Sequence, residues 1–309
     1  MTNQFHYGLD IGGTKIEIAI FNSKFECLGC LRAPTPTNNY VDFINSISDL
    51  VNQADDYCDS QGSVGAGIAC TLNSEGLAQS ANIDCLNGRQ LINDLTEKLN
   101  RPIAIDNDSN LFTLSEANGG AADKADVVFG VIVGTGLGGA LSIGQKIVPS
   151  AQGLSGEFGH TCISANLHAK YQLPLHQCGC GLVGCYESYL AGSGLSRLYQ
   201  HFGAEQADTI SFAQALKTKH PVAQATFDCY IDIAGAAFAS LVLHYDPQVI
   251  VLGGGLSNIP EIAASLPEAM AKHLFNQVTL PKVITAKFGD SSGVRGAAII
   301  GAQHAAKIT

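Results

Sequence analysis

The chain has no tryptophan and only two methionines in 309 residues, and just 14% of its residues are charged. Its 17 lysines and arginines are scattered singly against 27 aspartates and glutamates, for a net charge of −10. The basic stripe of a nucleic-acid binder is missing, so no nucleic-acid partner is expected. The acidic excess by itself argues only for solubility. No apolar run reaches the ~18 residues that a membrane span needs. The longest candidate, IDIAGAAFASLVLHY, is broken by Asp232 and reads as a buried helix. The opening MTNQFHYGLDIGG shows neither the basic and apolar segments nor the cleavage site of a secretory leader. A cytoplasmic location without membrane association is expected, where the ten cysteines are thiols rather than disulfides.

What the chain has in excess is glycine, 34 residues without a Gly-x-y repeat. Such glycines mark tight turns and close approaches of backbone to ligand. Residues 6–32 read as strand, glycine turn, strand, turn, strand, and the alternation in KIEIAIF suits a half-buried strand. A helix is expected over 39–59, capped by Asn38 or Asn39, then a strand over 62–70, a helix over 88–99, the strand IAIDND and a helix over 109–118. After the small, polar NGGAADKAD the opening pattern returns in VVFGVIVGTGLGGALSIGQKIV. Helices near 187–202, 209–218, 221–245 and 258–274, strands at QVIVLGG and 282–287, and a final helix GVRGAAIIGAQHAAKI complete the reading. Alternating strands and helices in two duplicated halves imply α/β domains, whose ligands bind beyond the carboxyl ends of the strands.

Two of the glycine turns are phosphate candidates: Asp10, Gly12, Gly13, Thr14 and Lys15 in DIGGTK, and Gly134, Thr135, Gly136, Gly138 and Gly139 in GTGLGG. Successive backbone N–H groups in such turns can converge on phosphate oxygens, although a glycine hairpin can also be only a hairpin. GTGLGG is not a dinucleotide fingerprint, because a strand-like run follows it, and it is not a Walker A loop. A third run, Gly253, Gly254 and Gly255, can lie against a nucleoside. Asp10 ends a strand where a carboxylate can hold hydrated Mg²⁺. Asp108 opens a helix, where it is either a cap or a carboxylate placed to take a proton during phosphoryl transfer. Glu157 and His160 stand three apart and Glu187 follows the cysteine cluster; these are either surface groups or contacts to sugar hydroxyls. Cys178, Cys180 and Cys185 carry three of the four ligands of a structural zinc site, with His160, His168 and His176 as candidates for the fourth.

The ordered set DIGGTK, DNDSN, GTGLGG, GEFGH, CGCGLVGCYES, LGGGLS and GDSSGVRGAA, spread nearly end to end, resembles the bacterial ROK family of repressors, open reading frames and sugar kinases. No helix-turn-helix is legible before Asp10, which turns the expectation away from the repressor branch. The resemblance implies two actin-like, ribonuclease-H-like α/β lobes with a ligand cleft between them. It places the N-terminal lobe at 1–120, completed by the helix at 293–309, and the C-terminal lobe at 121–292 with an inserted zinc-binding segment at 160–185. It implies ATP and Mg²⁺ at the glycine turns, Asp108 as general base, and Asn82, Asn107, Asp108, Glu157, His160 and Glu187 around the sugar. It selects His160 with Cys178, Cys180 and Cys185 for zinc, so that His160's other ring nitrogen could meet the sugar itself, and it implies a homodimer.

Among its members the chain most resembles N-acetyl-D-glucosamine kinases, which phosphorylate the 6-hydroxyl. It departs from them in GIACTLN, where Cys70 stands in an altered turn, and in ANIDCLNGRQL, which looks more like a fructokinase loop. A fructokinase or glucokinase, a non-catalytic sugar sensor and an actin-like assembly protein are the competing readings.

Overall fold

The computed structural model describes residues 4–68, 70–72, 75–80, 83–151 and 153–308, with residues 71, 72, 290 and 308 by backbone only. In chain order its elements begin with β1 (His6–Ile11), β2 (Lys15–Phe21), β3 (Cys27–Pro34), α1 (Tyr40–Cys58) and β4 (Ser63–Ile68). The short β5 (Thr71–Leu72) and β6 (Ala78–Gln79), α2 (Leu91–Leu99), β7 (Ile103–Asp106) and α3 (Asp108–Ala117) follow. Then come β8 (Val127–Val133), β9 (Leu137–Ile143), β10 (Lys146–Ile147), α4 (Ala165–Tyr171), α5 (Glu187–Leu190), α6 (Gly192–His201) and α7 (Thr209–Lys217). The chain ends with α8 (Pro221–Tyr245), β11 (Val249–Gly253), α9 (Pro260–Ala271), β12 (Lys282–Thr285) and α10 (Ser292–Ile308).

The chain divides into two compact units. The first holds residues 1–115, 149–154 and 290–309; the second holds 116–148 and 155–289. Each carries a five-stranded sheet of the same plan, β3-β2-β1-β4-β7 in the first and β10-β9-β8-β11-β12 in the second. In both, the opening strands pair antiparallel and the last two add parallel. The repeated strand–turn–strand pattern of the sequence is thus a repeated sheet topology. The return of residues 149–154 to the first unit has no signal in the sequence.

In the first unit α10 lies directly on the sheet backbone. A Cβ on Gly8 of β1 would sit 1.9 Å from Val294 O, and one on Gly65 of β4 1.9 Å from Ala297 O. Only glycine at these strand positions lets the helix come that close. Asn39 caps α1, its side chain accepting from the N–H groups of Val41 and Asp42 at 2.9 and 3.3 Å.

In the second unit α8 starts on Pro221, whose missing N–H costs nothing at a first helical position. By length and composition α8 could cross a membrane, but 67% of its most apolar window is buried in the protein, as a core helix requires.

Two departures from the sequence reading bear on function. The helix expected over 187–202 is broken at Ala191, which is extended. The reason is that the Gly192 N–H leaves the helical ladder and donates to Gly134 O at 2.8 Å. The second is α4, in a stretch that reads as loop; Ser164 caps it through the Leu167 N–H.

Candidate active site and metal centre

In the first unit the carboxyl ends of β1 and β4 and the start of α3 border a cavity of about 650 Å³ whose walls include Asp10, Gly12, Cys70, Ser80, Asn107 and Asp108. Parallel strands ending together leave such a crevice, with the chain turning away to either side. Asn107, not Asp108, caps α3: its Oδ1 accepts the Asn110 N–H at 2.8 Å. Asp106 braces this corner, accepting from the Asn107 N–H at 2.8 Å and from Asn110 Nδ2 at 2.6 Å. Burial pushes the Asp106 carboxyl up, against those two hydrogen bonds. Asp108 is left as an exposed carboxylate at the cavity, its Oδ1 taking the adjacent Ser109 N–H at 2.8 Å. Asp10 faces the same cavity. Burial in the surrounding protein, then the charges of Glu17 and Asp108, push its carboxyl up, while Lys15 opposes them. A carboxylate raised by burial and by neighbouring negative charge, with a second carboxylate on the same cavity, forms a place where a hydrated divalent cation is favourable.

The first glycine turn joins β1 to β2 and is closed by the Gly12 N–H donating to Lys15 O at 3.0 Å. Thr35 secures it, its hydroxyl donating to Gly12 O at 2.6 Å. Lys15 itself belongs to β2, and its ammonium reaches Glu17 at 3.1 Å, where Arg32 also arrives at 2.7 Å.

The second glycine turn joins β8 to β9, with the Gly134 N–H donating to Gly136 O at 3.0 Å and Thr135 exposed at its tip. Gly138 and Gly139 lie beyond the turn, in β9, opposite Ile132 and Val131. Gly139 is needed for packing, since a Cβ there would stand 2.5 Å from the Phe129 ring. β11 pairs parallel with β8, so Gly253, Gly254 and Gly255 emerge beside the second turn. Gly254, at φ 81°, presses against Val133, and a Cβ there would lie 2.5 Å from Val133 O.

The candidate metal centre lies in the second unit. Ligand atoms of His160, Cys178, Cys180 and Cys185 all fall within 4.8 Å of one another. Cys178 Sγ is 3.6 Å from His160 Nδ1, and Cys180 Sγ is 3.6 Å from Cys185 Sγ. Zn–S bonds of 2.3 Å in a tetrahedron put sulfurs about 3.8 Å apart, so the donor set fits zinc in chemistry and spacing. Without a cation, burial pushes the Cys185 thiol up to about 12, whereas the Leu182 backbone hydrogen bond pulls Cys180 down. His160 turns its Nε2 toward Glu157, whose Oε2 is 3.6 Å away. His176 lies tilted against the Tyr189 ring, with centroids 5.5 Å apart, instead of joining the cluster. Between the ligands, α4 is pinned to α8: Asp232 accepts from Lys170 Nζ at 2.6 Å and Tyr171 OH at 2.8 Å, and pairs with His273 Nε2 at 2.7 Å.

Residues 6–304 match the model of the ROK family. The chain belongs to the ROK family. It is 48% identical to an N-acetylgalactosamine kinase of Shewanella sp. strain ANA-3, over 96% of both chains. It is 38% identical to an N-acetyl-D-glucosamine kinase of Haemophilus influenzae, over 96% of this chain and 98% of the relative. Among solved structures it resembles the ROK hexokinase of Thermus thermophilus, with a TM-score of 0.86 at 27% identity, covering 98% of this chain and 100% of that one. It also resembles a ROK glucokinase of Streptomyces griseus solved with glucose and AMPPNP, with a TM-score of 0.74 at 25% identity, covering 97% and 99%.

Of the ROK residues expected from sequence, the first unit brings Asp10, Gly12, Asn107 and Asp108 to one cavity. The second brings Glu157, His160 and Glu187 to the cysteine cluster. Asn82 lies outside the described residues. Sequence reasoning missed Gln79 and Ser80, which line the cavity, and had only the altered GIACTLN turn as a signal for Cys70. It also missed Asp232, which no local pattern distinguishes from a helix-interrupting charge.

Proposed function

We propose that this ROK protein is an ATP-dependent kinase that phosphorylates the 6-hydroxyl of an N-acetylated hexosamine. The observation that carries the reading is Asp108: an exposed carboxylate at a cavity wall, relieved of capping by Asn107. Asp108 accepts the hydroxyl proton as the γ-phosphoryl group arrives, which is what phosphoryl transfer asks of a base. Asn107 orients the sugar with its Nδ2, its Oδ1 being committed to the helix. Glu157, His160, Glu187 and Asn82 contact the remaining hydroxyls. The turns at Gly12–Thr14 and Gly134–Gly136 bind phosphate oxygens through backbone N–H groups, and Gly253–Gly255 flank the adenosine. Asp10 holds the hydrated Mg²⁺ of the nucleotide, which supplies neutralisation of phosphate charge. His160, Cys178, Cys180 and Cys185 hold a structural zinc, since four protein ligands leave no position open for chemistry.

N-acetyl-D-glucosamine is the substrate that the motifs suggest. A second reading, N-acetyl-D-galactosamine, is favoured by the 48% identity to the Shewanella kinase. Initial rates with MgATP over N-acetylglucosamine, N-acetylgalactosamine, N-acetylmannosamine, glucose, mannose and fructose test both. The largest kcat/KM on an acetylated hexosamine is expected. A preference for fructose or glucose overturns the proposal, and tight sugar binding with no turnover makes the chain a sensor.

A further inference from the structure

The segment that follows the third cysteine, Glu187 to Gly192, holds the second glycine turn at both ends. The Gly192 N–H donates to Gly134 O at 2.8 Å, where the turn begins. At the other end the Leu137 N–H donates to Glu187 Oε2 at 3.0 Å. Gly136 is packed against this carboxylate so closely that a Cβ there would stand 2.9 Å from Oε2. The other oxygen, Oε1, lies 3.6 Å from Cys178 Sγ, and Cys178 is one of the four residues of the candidate metal cluster. One carboxylate therefore touches a residue of that cluster on one side and the backbone of the glycine turn on the other. Carboxylate bonds to backbone N–H groups are charge-assisted and directional, so they fix the turn's shape rather than only its place.

We propose that Glu187 is a positioning residue for nucleotide binding: it holds the Gly134–Leu137 turn in its phosphate-binding shape. This rests on the reading of Gly134–Gly136 as a phosphate turn and adds a role to Glu187 separate from any sugar contact. A preformed turn binds phosphate without first being ordered, so losing the anchor weakens nucleotide affinity.

The test is titration with AMPPNP and Mg²⁺ in the absence of sugar. Glu187→Ala is expected to weaken binding about tenfold, the scale of one lost charged hydrogen bond. Glu187→Gln, which keeps an acceptor for the Leu137 N–H, is expected to restore most of it. If Glu187→Ala does not fold, Glu187→Asp, one methylene too short to reach Leu137, carries the test. Thr135→Val separates the two layers. If Thr135→Val weakens binding and Glu187→Ala does not, the turn binds phosphate and the positioning role is wrong. If neither variant changes affinity, the phosphate reading of the turn falls and the positioning role with it.

Discussion

Asn107 Oδ1 takes the Asn110 N–H at 2.8 Å, and by doing so makes Asn107 the cap of α3 and leaves the carboxylate of Asp108 to the cavity. An aspartate at the start of a helix is commonly a cap, and replacing a cap costs stability. Here capping and the proposed base fall on adjacent residues, so they separate in experiment.

Asp108→Asn keeps the shape of the site and removes the base. Turnover with MgATP and the best sugar is expected to drop about 10²–10⁴-fold, the usual range for a lost general base, with Tm nearly unchanged. Near-normal turnover in this variant would remove Asp108 from the proposed role.

Asn107→Ala removes the cap, and a loss of about 1 kcal/mol is expected in urea unfolding. Asn107→Asp retains an oxygen for the Asn110 N–H and is expected to keep most of that stability. Equal stability for all three proteins would show that the Asn107–Asn110 bond contributes nothing.

Cys185→Ser breaks the donor set from its buried side. Metal analysis is expected to find about one zinc per chain in the parent protein and little in the variant, since a structural site binds with all four ligands or weakly. Tm is expected to fall in the variant and in chelator-treated parent protein alike. A folded, metal-free parent with unchanged Tm contradicts the site.

Asp232 gives the pH prediction. Burial alone raises its carboxyl, but hydrogen bonds from Lys170, Tyr171 and His273 outweigh burial and hold it below the ordinary carboxylate range. A carboxylate depressed in the folded state adds stability that is complete above its unfolded value, about 3.9, and is lost as pH falls through the folded value. Asp232→Asn is therefore expected to lower stability at pH 7 by about 1–3 kcal/mol. Its deficit against the parent protein is expected to shrink as pH drops below ~4, read from urea unfolding at each pH. Cys229, Tyr171 and Lys170 do not change charge in that window, because burial pushes the Cys229 thiol and the Tyr171 hydroxyl up to about 12 and the Asp232 bond raises Lys170. A deficit that stays constant down to the acid limit would show that the charge of Asp232 is not what pins α4.

The amino-acid sequence by itself determined the repeated strand–glycine–strand halves, the helix spans over 221–245 and at the C-terminus, and the motif order that marks a ROK chain. Those signals are local: periodicity, capping residues and glycine turns act within a few residues. It also held the three cysteines, but spacing alone left His160, His168 and His176 open as the fourth ligand, with His176 nearest. The family resemblance pointed to His160, and the packing of the second unit puts His160 at the cysteines and His176 against Tyr189.

Tertiary structure alone decided the remainder. Glu187 meets Leu137 across 50 residues of chain, and Lys170 meets Asp232 across 62. The break at Ala191 exists because Gly192 binds Gly134, which a helical pattern over 187–202 cannot reveal. Likewise the cavity draws Asp10, Cys70, Ser80 and Asp108 together only because β1 and β4 end, and α3 begins, at one edge of one sheet. Which backbone group a carboxylate finds depends on where strands end in space, and that is set by packing, not by the residues next to it in the chain.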